Sequence, residues 1–264
     1  MAADPLTAAI SHGVPLVVLS PHLDDAVLSC GAMLADARNH VPVTVTSMFT
    51  EGAPPPYTLS ARRYLHQTGA RDAEALYAAR RAEDQEVLEG MGIAWRHAGL
   101  PEGLFRRKRG RVPDGPQRVS ALLPERAHVY PTYRRHLAAG RISRHDSGVL
   151  HRIGEVLQEA AAPEPSLLLA PLAVGGHVDH LLVRTAAELS RRRVVYYSDF
   201  PYNRQHSVDA EFARRNTLVP IAWQQGLKVK AALIRNYRTQ ADALFPDGHV
   251  PLIPELYLYP GGLS

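Results

Sequence analysis

"VPLVVLSPHLDDAVLSCGAMLADARNH", residues 14–40, carries the decision about this chain. A short β-branched and leucine run, 14–20, passes at once into a stretch whose apolar spacing suits a helix. At the handover stand His22, Asp24 and Asp25, where a folded chain would otherwise avoid charge. Those side chains need either a capping role or a chemical one.

The same alternation continues downstream. Residues 41–50 read as a second strand, 51–69 as a proline-rich loop and short helix that could form a lid or substrate loop, and 70–93 as a helix stopped by glycines. A helix is predicted over 147–161, a buried strand over 166–173, a helix over 177–193 and a strand running into a loop over 194–203. Residues 227–245 read as one helix and 250–260 as an irregular end. Strands alternating with helices predict an α/β fold, a Rossmann-like three-layer sandwich around a mostly parallel sheet. No repeat or low-complexity linker divides the chain, so 1–264 reads as a single domain.

Composition narrows the function classes. The 264 residues are 45% hydrophobic and 21% charged, ordinary for a globular protein, and no apolar run approaches the roughly 18 residues of a membrane span. Residues 1–13 have neither the basic start nor the apolar core of a secretory signal, and Cys30 has no partner for an internal disulfide. Both features predict a cytoplasmic protein. The pI is about 9.3, but the net charge is only +4. Lysine occurs only at 108, 228 and 230, so arginine supplies nearly all the basic residues. The densest basic stretch, 105–118, contains Gly and Pro and reads as a solvated surface insertion, with an anionic partner as the alternative. Nucleic acid is not the expected partner, because the excess charge is small and local.

A second motif answers the first. Residues 177–180 read HVDH, reached through Gly175 and Gly176 after the strand 166–173. Ligand sites of parallel α/β sheets gather beyond the carboxyl ends of the strands, so two strands can join motifs that lie far apart in sequence. His22 and Asp25 are spaced i and i+3, as are His177 and His180, and such pairs share a helical face. Two histidines, one carboxylate and an open position make a catalytic zinc site, whereas closed structural sites use thiolates. For HLDD the alternative is a helix cap, which accounts for one aspartate and leaves the other and His22 unexplained. For HVDH alone, ordinary histidines at a helix start remain open.

The pair HLDD and HVDH resembles the HPDD and HPDH motifs of the PIG-L/LmbE-like zinc deacetylases. That family removes acetyl groups from N-acetylglucosamine units in phosphatidylinositol glycolipids, mycothiol and bacillithiol precursors and some antibiotics. Residues 80–92 (RRAEDQEVLEGMG), 100–106 (LPEGLFR) and 196–202 (YYSDFPY) resemble further family segments, extending the likeness over about 14–245. Leu23 and Val178 replace the motif prolines, Ala26 replaces a frequent glutamate, and Gly175 stands where some members have tyrosine.

The resemblance implies that His22, Asp25 and His180 hold zinc and that Asp24 is the general base. Elementary chemistry supports that division, since a water on zinc has its pKa lowered to about 7 and a carboxylate beside it can take its proton. Iron(II) or cobalt(II) suits the same donors. His177 would face the developing oxyanion and, if protonated, stabilise it or assist the leaving amine. Asp179 would hold a histidine in its charged form, or cap a helix. Arg80 and Glu83 lie on a helical stripe with Leu76, Val87 and Met91. The resemblance favours Arg80 as a substrate-binding group, and an Arg80–Glu83 ion pair is the structural alternative. Cys30 reads as a buried thiol, and Tyr197 and Asp199 as borders of the substrate pocket or, for the tyrosine, core packing. The expected partner is a small amino-sugar conjugate or secondary-metabolite intermediate. Alternatives are an amidase for a larger acyl or thiol conjugate and a non-catalytic metal- or carbohydrate-binding protein.

Overall fold

The computed structural model describes residues 4–108, 123–162 and 164–261; most of the basic stretch 105–118 lies outside them. The chain runs α1 (Pro5–Ser11), β1 (Leu16–Ser20), α2 (Asp25–Ala37), β2 (Val43–Glu51), α3 (Leu59–Gln67), α4 (Ala73–Gly90), β3 (Ala94–Pro101) and α5 (Pro124–Ala127). It continues through α6 (Ser147–Ala160), β4 (Leu167–Pro171), α7 (Val178–Leu189), β5 (Val194–Tyr197), α8 (Ala210–Arg215) and β6 (Leu218–Trp223). The last elements are α9 (Leu227–Ile234), α10 (Arg238–Leu244) and β7 (Glu255–Pro260).

One seven-stranded sheet has the order β3-β2-β1-β4-β5-β7-β6. Strands β1 to β5 are parallel, and β7 runs antiparallel between β5 and β6. Every residue of β1, β4 and β5 is buried, because helices cover both faces. Val17, Leu19, Leu168 and Tyr196 pack on one face with Ile153 and Val156 of α6 and Leu182 of α7. Leu16, Val18, Leu169 and Tyr197 pack on the other with Leu6 of α1, Met33 of α2 and Ile234 of α9. The alternation of single residues in continuous apolar runs thus builds the expected three-layer sandwich.

The departures from the sequence reading lie at the sheet edges and the C-terminal third. Strands β3 and β6 were not expected. The sequence of β3 has no apolar run, and β6 carries Pro220, which is tolerated on an edge strand. Residues 250–260 are not wholly irregular, since β7 closes the sheet from Glu255. That residue is buried, pairs with Lys230 at 3.2 Å and accepts from the backbone N–H groups of Ala32 and Met33 at 2.8 and 3.0 Å. The single helix expected over 227–245 is two, broken where Tyr237 turns inward and its hydroxyl donates to Asp84 at 2.9 Å.

Strands β1 and β4 are neighbours from which the chain order departs in opposite directions. HLDD follows β1 and HVDH follows β4, so both motifs sit at the topological switch point.

Candidate metal and active site

Local hydrogen bonds set the first motif. Ser20 Oγ donates to the carbonyl of His22 at 2.6 Å and accepts from the N–H of Ala26 at 3.0 Å, tying the end of β1 to the first turn of α2. Asp25 Oδ2 accepts from the His22 N–H at 2.9 Å. Asp24 is the N-cap residue of α2, yet its side chain makes no capping hydrogen bond. Capping therefore does not account for its carboxylate. In the second motif His177 caps α7, Nδ1 accepting from the Asp179 N–H at 3.2 Å. Gly176 makes the approach possible: it has φ 71°, and a Cβ there would meet Gly140 Cα at 3.1 Å.

The two motifs meet around one oxygen. Asp25 Oδ2 lies 3.0 Å from His22 Nδ1 and 3.2 Å from His180 Nε2. The other nitrogen of each ring faces a second carboxylate: His22 Nε2 lies 3.3 Å from Asp179 Oδ2, and His180 Nδ1 lies 2.6 Å from Asp199 Oδ1. Such carboxylate–histidine pairs set the tautomer that leaves the opposite nitrogen free for a metal. His22, His177 and His180 can also each offer one nitrogen within 4.8 Å of the others. These donors fit a divalent cation, for which ligand atoms at about 2.0–2.2 Å in a tetrahedral shell lie about 3.4 Å apart.

Asp179 is fully buried and stands behind His22. Its Oδ2 also accepts from the Gly103 N–H at 2.8 Å, and its Oδ1 from Arg106 Nη1 at 2.8 Å. Gly103 has to be glycine for this approach, because a Cβ would meet Leu137 Cδ1 at 2.6 Å and Asp179 Oδ1 at 3.2 Å. Asp179 thus contacts His22 through its carboxylate and His177 only through its backbone. Asp199, expected to border the pocket, is buried behind His180 and also accepts from the Val174 N–H at 2.8 Å. Tyr197 is core, its hydroxyl donating to the Leu19 carbonyl at 2.8 Å. Cys30 is a buried thiol, pushed up by burial.

Electrostatics separate the two adjacent aspartates. Burial first, and the charge of Asp25 second, push Asp24 up to about 7. Burial also opposes the charge of Asp25, but His180 and His22 outweigh it and hold that carboxyl well below the usual range. Burial likewise opposes the charge of Asp179, and Arg106 overrides it to hold this carboxyl low. Without a cation, His180 is raised to about 9 despite its burial, by Asp25 and Asp199. His177 moves the other way, to about 3, chiefly by burial. Its ring is therefore neutral at neutral pH, and because Nδ1 accepts, Nε2 carries the proton. Burial disfavours the protonated His177 weighed from the sequence.

A cavity of about 190 Å³ opens over these groups, lined among others by Asp24, His177, Arg80, Glu102, Tyr64 and Tyr202. Tyr64 and Thr68 come from α3 and its C-cap, so the segment expected to form a lid or substrate loop does reach the site. Arg80 is buried between the rings of Tyr64 and Tyr77, 5.6 and 5.7 Å from their centroids, and its Nε has no hydrogen-bond partner among the described residues. Glu83 does not pair with it; its carboxylate accepts instead from the Thr239 N–H and Oγ1 at the start of α10. The sequence reading passed over Glu102 and Arg106 as individual residues. Their only signal was the segment 100–106 that contains both.

The family model for PIG-L, described as GlcNAc-PI de-N-acetylase, matches residues 17–190, which include both motifs. The chain belongs to the PIG-L family. A 2'-N-acetylparomamine deacetylase of Streptomyces fradiae is 30% identical over 214 residues, covering 78% of this chain and 65% of the relative. The enzyme of the same name from Niallia circulans is 25% identical over 254 residues, 87% of this chain and 82% of the relative. Among solved structures, the zinc-inhibited form of teicoplanin deacetylase Orf2 superposes with TM-score 0.71 at 22% identity, covering 93% of this chain and 97% of that one. The A40926 pseudoaglycone deacetylase Dbv21 gives 0.65 at 23%, covering 94% and 97%. These two structures share the fold. Beyond the matched PIG-L region, Tyr202, Thr239, Gln240, Ala243 and Leu244 complete the cavity wall.

Proposed function

We propose that this PIG-L family protein is a metal-dependent N-deacetylase that releases acetate from an N-acetylated amino-sugar conjugate of secondary metabolism. One observation carries the reading: Asp25 Oδ2 lies against one nitrogen of His22 and one of His180, each ring's other nitrogen faces a carboxylate, and Asp24 stands beside them unused by its helix. His22, Asp25 and His180 are the metal ligands. The looser grouping with His177 is less suited, since His177 lies over the cavity and Asp25 touches both other ligands. The cation is zinc, whose preference for two imidazoles and a carboxylate matches the set. When bound it supplies Lewis acidity toward a water and the acetamide oxygen.

The chain's own groups do the rest. Asp24, ionisable near neutrality, takes a proton from water as its oxygen attacks the acetamide carbon. Neutral His177 donates Nε2–H to the oxygen on which negative charge develops. As the C–N bond breaks, Asp24 returns the proton to the departing nitrogen, leaving acetate and a free amine. Arg80 offers guanidinium N–H groups to sugar hydroxyls, and Asp179 holds the His22 ring rather than touching substrate. The names of the relatives make 2'-N-acetylparomamine the first substrate to test. Among the described residues no helix is long and apolar enough to cross a membrane, and the single buried cysteine suits a reducing cytoplasm.

Acetate release from a panel of N-acetylated aminoglycosides and N-acetylglucosamine glycosides, after chelation and after zinc return, tests the proposal. Zinc-restored release, lost with metal in H22A, is expected. Release only from analogues of the same sugars carrying longer N-acyl groups, assayed alongside, would favour the amidase reading, and zinc uptake without release from any compound would favour a binding protein.

A further inference from the structure

We propose that Arg106 is a positioning residue for the metal site, acting on His22 through Asp179 from a buried network that Asp146 and Tyr130 hold in place. The guanidinium is almost inaccessible, with its side chain 3% exposed and those of Asp146 and Asp179 at 0%. It spends Nε and Nη2 on the two oxygens of Asp146, both at 3.0 Å, and Nη1 on Asp179 Oδ1 at 2.8 Å and the Pro101 carbonyl at 3.2 Å. Phe49 and Tyr130 flank it, with ring centroids at 5.0 and 5.4 Å. Tyr130 fixes the far end, its hydroxyl donating to Asp146 Oδ2 at 2.6 Å and accepting from the Ser143 N–H at 2.8 Å.

This arrangement does more than neutralise buried charge. One carboxylate would neutralise Arg106, whereas the planar fork here bridges two carboxylates from different elements, the turn before α6 and the first turn of α7. The bidentate pairing sets the plane of the guanidinium, and Nη1 then sets the position of Asp179 Oδ1. With Oδ1 held by Arg106 and Oδ2 by the Gly103 N–H, Asp179 has one remaining direction, toward His22 Nε2 at 3.3 Å. The ring is thereby turned so that Nδ1 points at Asp25 Oδ2. Arg106 does not line the cavity, so it touches neither substrate nor the reacting atoms. The segment 100–106 accordingly supports Asp179 twice, through the backbone of Gly103 and the side chain of Arg106.

The inference rests on the proposed metal site, and the experiment separates the two. Zinc affinity is measured by competition with a fluorescent chelator, alongside kcat, KM and thermal stability, for wild type, R106M/D146L and R106K. The double variant removes the Arg106–Asp146 pair together, so Asp146 is not left as an unpaired buried charge, and Asp179 keeps the Gly103 N–H and His22 while losing the guanidinium. Its zinc affinity should fall by about 10–100-fold, the usual effect of losing a partner that orients a metal ligand. KM should stay near wild type while kcat falls. R106K keeps a positive charge but cannot bridge both carboxylates, so it should recover only part of the zinc affinity; it also serves as the test if the double variant fails to fold. A purely structural role predicts lowered thermal stability with zinc affinity within twofold of wild type, and that result in either folded variant overturns the inference. Wild-type protein that takes up no zinc would bring down the metal-site proposal itself, and this inference with it.

Discussion

Asp24 and Asp25 are adjacent, both buried, and opposite in behaviour. Asp25 sits between two histidines that favour its charge, while Asp24 has no side-chain hydrogen-bond partner among the described residues and is raised to about 7 by burial and by Asp25. A raised carboxyl is protonated below that value, so activity that needs it ionised should rise with pH along an acid limb ending near or below 7. A bound cation would move that limb toward lower pH by favouring the ionised form. The kcat/KM profile of the zinc-loaded enzyme checks this. D24N should keep its metal and lose about 10²–10⁴-fold in kcat, the range for removal of a general base. The same shift bears on stability. A carboxyl raised in the folded state contributes stability that is fully present below its unfolded pKa near 4 and lost as pH rises through about 7. Metal-free D24N should therefore be more stable than wild type at pH 8, by on the order of 2–4 kcal/mol in urea unfolding. The difference should vanish near pH 4, and equal stability at pH 8 would contradict the raised value. Both aspartates and the three motif histidines were legible in the sequence because their spacing is local. The division of labour proposed for them was implied there by resemblance, with support from elementary chemistry, and their opposite electrostatics come from the company each keeps after folding.

At the level of elements, α4 and α10 divide between anchoring and recognition. Arg80 and Glu83 lie on one stripe of α4, but Arg80 turns to the cavity while Glu83 receives the start of α10. Helix α10 then presents Thr239, Gln240, Ala243 and Leu244 as cavity wall. E83A should raise KM without changing zinc content and should lower stability by about 0.5–2 kcal/mol, the cost of losing such a cap. Steady-state kinetics beside metal analysis reads this directly; an unchanged KM would mean that α10 holds its place without Glu83. R80M should likewise act mainly on KM, with metal retained. Apolar spacing that persists across 235–237 predicts one helix over 227–245; the buried Tyr237–Asp84 contact and the Glu83 cap on Thr239 divide it. Strands β6 and β7 escaped notice for a related reason: Pro220 and Glu255 are poor strand signals, rescued by an edge position and by Lys230 respectively.

Across the whole molecule, one end of the sheet gathers buried charged groups of both signs. Asp24, Asp25, Asp179, Asp199 and Glu102 are all buried there, with Arg80 and Arg106 as the nearby guanidinium groups. A divalent cation that binds the native state and not the unfolded chain stabilises the fold, so its removal should destabilise it. At a hundredfold excess of metal over Kd, binding contributes about 2.7 kcal/mol. For a chain of this size that corresponds to roughly 5–10 °C in Tm, lost on chelation and regained with zinc. A melting temperature indifferent to chelator would argue that no such ion is part of the native state. The sequence by itself determined the layered α/β architecture and the two motifs, because continuous apolar runs and i, i+3 spacing are properties of neighbouring residues. Only the tertiary structure decided which nitrogen of His22 and His180 faces Asp25, and that Asp199, Asp179 and Arg106 stand behind them. Those contacts join residues far apart in the chain, and they form because a charge carried into the core must find its partner there, wherever in the sequence that partner lies.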